Sequence, residues 1–263
     1  MIDLHNHTPA CHHAVGEPEE YVRRAIEQGV QEYGISEHSP WILTYPNEPL
    51  SPTEPEFRQL LKRLEGIRDS TTELKFRIGI EADYIPEKCD EALAFFKSYP
   101  FDYIIGSVHN IGQWIFDDPG KIDQWDERDV DVVYSEYLAL MQGLIEWGQV
   151  DILAHLDLPK KFGHKPTRGL LPVFESLIPM IAEAGVVVEV NCAGRIKPVG
   201  EFYPHPDIVR ALVKAGVPMT VSSDGHSPAQ VGHYRQEAIQ MLRDFGAKEI
   251  FSFSQRQKIG YRI

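Results

Sequence analysis

Two histidines near the start of the chain, His5 and His7, have the residue type and the spacing that suit metal binding. Side chains two residues apart in an extended segment lie on the same side of the backbone. Imidazole nitrogens are common ligands of zinc and other transition metals. The mostly apolar segment Met1–Leu4 predicts a short strand that carries both imidazoles at its C-terminal end. The pair therefore predicts two ligands of a metal site whose other ligands come from elsewhere in the chain.

Seven short segments with strand-like composition alternate with segments of helical periodicity. The predicted strands are Met1–Leu4, Glu32–Ser36, Lys75–Glu81, Phe101–Ser107, Val150–Ala154, Val186–Asn191 and Pro218–Ser223. The predicted helices are Pro18–Gln28, Thr53–Ser70, Asp129–Trp147, Leu171–Ala184, Pro206–Ala215 and Pro228–Phe245. This alternation predicts an α/β fold with a parallel sheet and crossover helices. Because no low-complexity linker divides residues 1–263, we predict one domain.

Six of the seven predicted strands end in, or are followed closely by, a histidine, aspartate or glutamate. The carboxyl ends of parallel strands share one face, where barrel enzymes bind their ligands. The candidate metal ligands on this face are His5, His7, His13, His38, Glu81, His109, His155, Asp224 and His226. His12 is the alternative to His13 in the first loop. We predict no ligand role for the other histidines, and His205 is a candidate helix cap before Pro206.

The number and type of these side chains indicate what they bind. A single zinc ion takes three or four protein ligands, so we expect two or three divalent ions, with Glu81 or Asp224 as a bridge. Imidazole and carboxylate ligands without thiolate favour zinc, iron or manganese. Neighbouring metal ions generate hydroxide near neutral pH and stabilise the oxygens of phosphate esters during hydrolysis. The sequence therefore predicts a metal-dependent hydrolase of a small-molecule phosphate ester.

Composition limits the partners and the compartment that we expect. The chain has 26 Lys+Arg and 39 Asp+Glu, a formal net charge of -13 that disfavours binding to long nucleic acids. It has no apolar run of about 18 residues and no apolar stretch of signal-peptide length near Met1, so we expect neither a membrane span nor a signal peptide. The cysteines Cys11, Cys89 and Cys192 cannot all pair, which predicts reduced thiols in a cytoplasmic protein. No feature of the sequence indicates the oligomeric state.

Several ordered motifs resemble those of the polymerase-and-histidinol-phosphatase (PHP) superfamily over nearly the whole chain. They are Asp3–Thr8, Glu37–Ser39, Gly106–His109, Ala154–Asp157 and Ser223–His226. The resemblance implies a distorted, TIM-like (β/α)7 barrel with a trinuclear metal cluster. It also implies that the ligands are the nine residues named above, with His13 rather than His12 in the first loop.

Three further segments, Pro9–His13, Leu158–Phe162 and Glu189–Arg195, resemble the monofunctional histidinol-phosphate phosphatases of this superfamily. That resemblance implies hydrolysis of L-histidinol phosphate in histidine biosynthesis, by a metal-bridging hydroxide that attacks phosphorus. One alternative is another PHP hydrolase, which acts on nucleotide phosphates or as an exonuclease. The alternative of another class is a metal-stabilised regulatory module without turnover, against which the full ligand set argues.

Cationic side chains should complete a phosphate site, because phosphoryl transfer depends on positioning and electrostatics. Arg195 follows the sixth predicted strand, and its guanidinium can hold a phosphate through two parallel hydrogen bonds. Lys160 and Lys161 follow the fifth strand closely, and we expect one of them to contact the phosphate.

The leaving alkoxide needs a proton, for which Asp224, His226 and His109 are the candidates. An aromatic loop after His109 contains Trp114, Phe116 and Asp117. We predict that His109, and Asp117 from this loop, contact the substrate.

Overall fold

The computed structural model describes residues 1–40, 43–44 and 50–263, and its central feature is a sheet of seven parallel strands. Numbered along the chain, the strands of the described residues are β1 Ile2–Asp3, β2 Glu32–Ile35, β3 Lys75–Asp83, β4 Tyr103–Ser107, β5 Asn110–Ile111, β6 Trp114–Ile115, β7 Ile152–Leu153, β8 Val187–Asn191, β9 Met219–Ser222, β10 Glu249–Ser254 and β11 Gln257–Arg262. The central sheet has the order β1-β2-β3-β4-β7-β8-β9, and each neighbouring pair is parallel. All seven predicted strands are present in it.

The first and last strands of the sheet meet just beyond their ends, which closes it into a barrel. Asn6 and Gly225 form a parallel bridge, and the His7 N–H donates to Gly225 O over 2.9 Å. A Cβ atom at position 225 would lie only 2.7 Å from Asn6 Oδ1, so a larger residue there would displace the Asn6 amide. The prediction of a TIM-like α/β barrel with seven strands is confirmed.

Helices cover the outside of the barrel. In chain order they are α1 Pro18–Glu27, α2 Glu54–Ser70, α3 Cys89–Lys97, α4 Val130–Trp147, α5 Leu170–Phe174, α6 Leu177–Ala184, α7 Pro206–Lys214 and α8 Arg235–Asp244. Thr53 and Glu56 form a capping box at the start of α2. His205 caps α7 as predicted, because its Nδ1 accepts the Asp207 N–H over 3.3 Å. Within the described residues, no helix is both long and apolar enough to cross a bilayer.

Two predicted helices are shorter or broken in the structure. The segment Leu171–Ala184 divides into α5 and α6, because Pro179 has no N–H to continue a helical ladder from Glu175. The segment Pro228–Phe245 begins with a short 3-10 turn, and α8 starts only at Arg235. Gly232 and Tyr234 both have positive φ between these two parts, which a continuous helix cannot accommodate.

The sequence prediction missed α3 and two hairpins. The β5–β6 hairpin follows β4 directly on the side of the barrel where the strands end. The β10–β11 hairpin lies at the opposite side of the barrel, where the strands begin, as contacts at its turn show. The Arg256 N–H donates to Asp102 O over 2.8 Å, and Arg77 Nη1 donates to Ser254 Oγ over 2.9 Å.

Candidate metal centre

The structure brings all nine predicted ligands together at the carboxyl end of the barrel. Seven of them lie at or just after the ends of the strands β1, β2, β3, β4, β7 and β9. One more lies two residues after the ligand that follows β9, and the last comes from the loop after β1. In this order they are His5, His7, His38, Glu81, His109, His155 and Asp224, then His226, then His13. Strand ends thus position the cluster, as the sequence pattern predicts.

The carboxylate of Glu81 lies at the centre of this group. Its Oε2 is 3.2 Å from His5 Nε2 and 3.4 Å from His7 Nε2. The same oxygen is 3.1 Å from His38 Nδ1. Three imidazoles from two strand ends therefore face one carboxylate oxygen.

The other oxygen of Glu81 faces two more imidazoles. Glu81 Oε1 lies 3.1 Å from His155 Nε2 and 3.6 Å from His109 Nε2, and these two nitrogens are 3.2 Å apart. Ser107 Oγ donates to the same oxygen over 2.5 Å. Because its two oxygens face different sets of histidines, Glu81 is placed to bridge metal ions.

Asp224 and His226 complete the group from the end of β9. Asp224 Oδ1 is 3.3 Å from His7 Nε2, and His226 Nε2 is 2.9 Å from His13 Nε2. The backbone of Asp224 has a φ of 51°, which few residues other than glycine adopt. His12 instead points outward, with its Nε2 3.5 Å from Glu56 Oε2. The structure therefore places His13, and not His12, in the cluster.

The residues present fit divalent metal ions. Within the part of the chain that the structure describes, His5 Nε2, His7 Nε2 and Glu81 Oε2 are buried and have no hydrogen-bond partner. Leaving a buried polar group without a partner costs roughly 1–3 kcal/mol. Lone pairs of imidazole and carboxylate that converge in this way are what zinc and similar ions coordinate.

Carboxylates behind the ligands hold their rings in place, and sequence analysis assigned them no role. His7 Nδ1 is 3.3 Å from Glu37 Oε1, and His109 Nδ1 is 2.8 Å from Asp83 Oδ1. Glu37 also accepts the Thr8 N–H over 2.8 Å. Such partners orient metal-binding histidines and fix which nitrogen is left for the metal. Their positions in the sequence could have identified them, since Glu37 directly precedes the ligand His38 and Asp83 lies two residues after the ligand Glu81.

Neighbouring charges shift the pKa values of the cluster in the metal-free protein. Burial favours the neutral form of His7, but Asp224 and Glu37 outweigh it and raise its pKa to about 9. Burial acts in the same direction on His109, and Asp83 and Glu81 raise its pKa to about 10. Both imidazoles are thus protonated near neutral pH until a metal displaces the proton.

Metal uptake by the metal-free protein at pH 8 is therefore expected to release protons. At that pH both His7 and His109 lie below their pKa values and carry a proton that coordination must remove, so metal affinity should rise with pH. Calorimetric zinc titrations in two buffers with different ionisation enthalpies measure the number released. Equal heats in the two buffers would contradict the expectation.

A cavity of about 460 Å³ opens above the cluster. Its floor includes Glu81, His109 and Asp224, and its wall includes Lys161 and Lys197. Burial and the nearby charge of Lys161 lower the pKa of Lys197. Two lysines and the metal ligands therefore face the same space, although the sequence did not single out Lys197.

Lys161 and Asp117 form an ion pair in the wall of this cavity. Lys161 Nζ lies 2.9 Å from Asp117 Oδ2 and donates to Asp117 O over 2.7 Å. Both residues line the cavity, as does His109, so the structure brings these three predicted substrate contacts to it. Trp114 is buried instead, with its ring 5.0 Å from that of Trp125.

The structure does not bring Lys160 or Arg195 to the cavity. Lys160 Nζ is fully buried, 2.9 Å from Asp157 Oδ2 and 2.7 Å from Phe202 O. The Arg195 guanidinium lies over the ring of Phe202 and 3.3 Å from Glu237 Oε2. Both cations are thus occupied by contacts in the surrounding loops.

Comparisons with known proteins agree with this geometry. A family model described as PHP domain matches residues 3–193. A probable histidinol-phosphatase of Deinococcus radiodurans is 37% identical over 257 residues, which cover 95% of each chain. The histidinol-phosphatase of Bacillus subtilis is 22% identical and covers 88% of this chain and 95% of its own.

A solved structure shares the fold. The histidinol phosphate phosphatase of Lactococcus lactis, complexed with zinc, L-histidinol and phosphate, matches with a TM-score of 0.81 and 21% identity over 98% of each chain. At this identity the likeness shows the common barrel. Since the family model matches well over half of the chain and includes seven of the nine predicted ligands, and the Deinococcus relative is 37% identical over 95% of the chain, the chain belongs to the PHP domain family.

Proposed function

We propose that the protein is a metal-dependent phosphomonoesterase that hydrolyses L-histidinol phosphate to L-histidinol and phosphate. The observation that carries this proposal is the cluster around Glu81 on the floor of a cavity with lysines in its wall. The Deinococcus relative, a probable histidinol-phosphatase, and the Lactococcus enzyme bound to L-histidinol and phosphate support the choice of substrate.

We propose that the cluster holds two or three divalent ions, of zinc, iron or manganese. The proposed ligands are His5, His7, His13, His38, Glu81, His109, His155, Asp224 and His226. Bound ions of this kind supply Lewis acidity toward a phosphoryl group and toward water near neutral pH. The zinc in the Lactococcus structure supports the type of metal.

The chain's own side chains bind and orient the substrate in this proposal. Lys161 and Lys197 face the metal ligands across the cavity, so an anionic phosphoryl group between them meets positive charge on both sides. Asp117 is placed to pair with an ammonium group at the same wall. Asp224, His226 and His109 line the cavity and are the proposed candidates for giving a proton to the leaving alkoxide.

Replacement of Lys161 by methionine is expected to raise the KM for the phosphate ester by roughly 10–100-fold, because a hydrogen bond to a charged group contributes about 1.5–3 kcal/mol. Steady-state phosphate release measures the effect. Lys165→Met is the matched control, since Lys165 is an exposed lysine paired with Glu201 outside the cavity.

Arg195→Met tests the phosphate contact predicted from the sequence. With its guanidinium on Glu237, Arg195 is expected to contribute less than Lys161. An equal rise of KM in both variants would favour the sequence prediction and would oppose the larger role proposed for Lys161.

The substrate itself is tested by measuring phosphate release from L-histidinol phosphate and from a panel of nucleoside monophosphates, with the metal content of the same sample determined. We expect hydrolysis of L-histidinol phosphate with the higher kcat/KM. Faster release from nucleotides would favour another PHP hydrolase. Failure of the metal-loaded protein to release phosphate from any of these esters would favour a regulatory module.

A further inference from the structure

Strand β8 differs from the other six strands of the barrel in the described residues, because none of the nine proposed ligands belongs to it. It nevertheless carries two polar side chains, Glu189 and Asn191, that are both 0% exposed. Residues two apart on a strand lie on the same face. A buried carboxylate is expensive unless it is hydrogen-bonded, so this pair needs partners inside the barrel.

The partners of Glu189 belong to two other strand ends. The Nδ1 of His5 lies 2.8 Å from Glu189 Oε1. The other oxygen, Oε2, accepts the backbone N–H of His155 over 3.2 Å. It also accepts the side-chain amide of Asn191 over 2.9 Å. One carboxylate thus fixes the ring of one proposed ligand and the backbone of another.

Asn191 extends the same network to a third strand end. Its Nδ2 donates to Asp224 Oδ2 over 3.0 Å as well as to Glu189. Its Oδ1 accepts the Ala193 N–H over 2.9 Å, which sets the orientation of the amide. Because Asp224 Oδ2 is held from behind, Asp224 Oδ1 faces the imidazole of His7.

We infer that Glu189 and Asn191 are positioning residues that arrange His5, His155 and Asp224 for the metal ions before these bind. A carboxylate on Nδ1 of His5 keeps the proton there and leaves the Nε2 lone pair toward Glu81. Strand β8, which supplies no ligand itself, therefore holds ligands from β1, β7 and β9 in position. This inference rests on the proposed metal-dependent phosphatase site.

The first test is zinc binding by Glu189→Gln. Glutamine offers one acceptor oxygen in place of two, so it cannot serve both the His5 ring and the His155 N–H. Loss of an outer partner of this kind lowers metal affinity by roughly 10–100-fold, and we expect that loss here. The measurement is competition between the full-length, metal-stripped protein and a chromophoric chelator for added zinc.

Glu32→Gln is the matched control for a buried carboxylate in the same barrel. Glu32 is also 0% exposed, but it begins β2 at the opposite end and lies 2.7 Å from Arg77. We expect this variant to lower the thermal midpoint without changing zinc affinity. Unchanged zinc affinity in Glu189→Gln, or an equal loss in both variants, would overturn the inference.

A second variant decides the matter if Glu189→Gln does not fold. Asn191→Ala removes the contacts without adding charge. A positioning role predicts weaker zinc binding than wild type in Asn191→Ala, because Asp224 and Glu189 lose the amide that holds them. Unchanged zinc affinity in Asn191→Ala would refute the inference.

These results separate the inference from the proposed function. If wild-type protein binds zinc tightly but does not hydrolyse L-histidinol phosphate, the proposed function fails and the zinc affinities still test the positioning pair. If wild-type protein is active and Glu189→Gln binds zinc as well as wild type, the function stands and the inference fails.

Discussion

Replacement of Glu81 by glutamine is expected to remove nearly all phosphatase activity. Both oxygens of this carboxylate face histidines, and its Oε2 is buried without a hydrogen-bond partner among the described residues. A glutamine amide would turn an N–H₂ group toward one set of imidazoles and could not bridge two cations. If about 4 kcal/mol of transition-state stabilisation is lost with the displaced ions, kcat should fall by roughly 1000-fold.

Two measurements on the same sample test this expectation. Steady-state phosphate release from L-histidinol phosphate reports kcat, and elemental analysis reports the bound metal, which should also fall. Glu65→Gln, at an exposed position of α2, controls for the chemical change itself. Activity within a few-fold of wild type, at normal metal content, would show that Glu81 is not at the centre of the site.

Removal of the metal is expected to lower thermal stability as well as activity. The pKa of Glu81 is well below its ordinary value although burial opposes ionisation, because the charges of His5 and His109 favour the carboxylate. The metal-free site is thus a cluster of buried charges. Ions present at 1000 times their dissociation constant stabilise the native state by about 4 kcal/mol, so chelation should lower the midpoint by roughly 10 °C.

Calorimetric melting before and after chelation measures this shift. Zinc, manganese or iron added back should restore both the midpoint and the activity, and the kcat reached at saturation with each metal shows which of them supports catalysis. Glu81→Gln should show a much smaller shift on chelation than wild type. An equal thermal midpoint for metal-loaded and metal-stripped wild-type protein would mean that ions bound in the cluster do not stabilise the fold.

The strands and the ligand cluster were predictable because burial and topology act on short sequence patterns. Segments such as Val186–Asn191 are rich in β-branched residues, here four valines, because both faces of a parallel strand are covered. Parallel strands place their carboxyl ends on one face, so a histidine that follows each of several strands must approach the others. The order of elements therefore predicts which side chains meet, even without their distances.

The directions of loop side chains were not predictable in the same way. Lys160 and Lys161 are adjacent in a 3-10 turn, yet Lys160 is buried on Asp157 while Lys161 lines the cavity. Arg195 and Lys197 flank the end of another such turn, and only Lys197 reaches the cavity. Strand position indicates the face on which a loop lies, but the turn geometry decides where each side chain points.

The closure of the barrel has a consequence for how the two ends of the sheet stay together. Strand β1 has only two residues, and His7 and Gly225 form one of the few backbone bonds that join it to the end of β9. His5 and His7 lie on one side of this seam, and Asp224 and His226 lie on the other. Ions bound by ligands from both sides would hold together chain segments that are more than 200 residues apart in the sequence. Amide hydrogen exchange at residues 4–8 and 223–227 should then be the part of the barrel that quickens most when the metal is withdrawn.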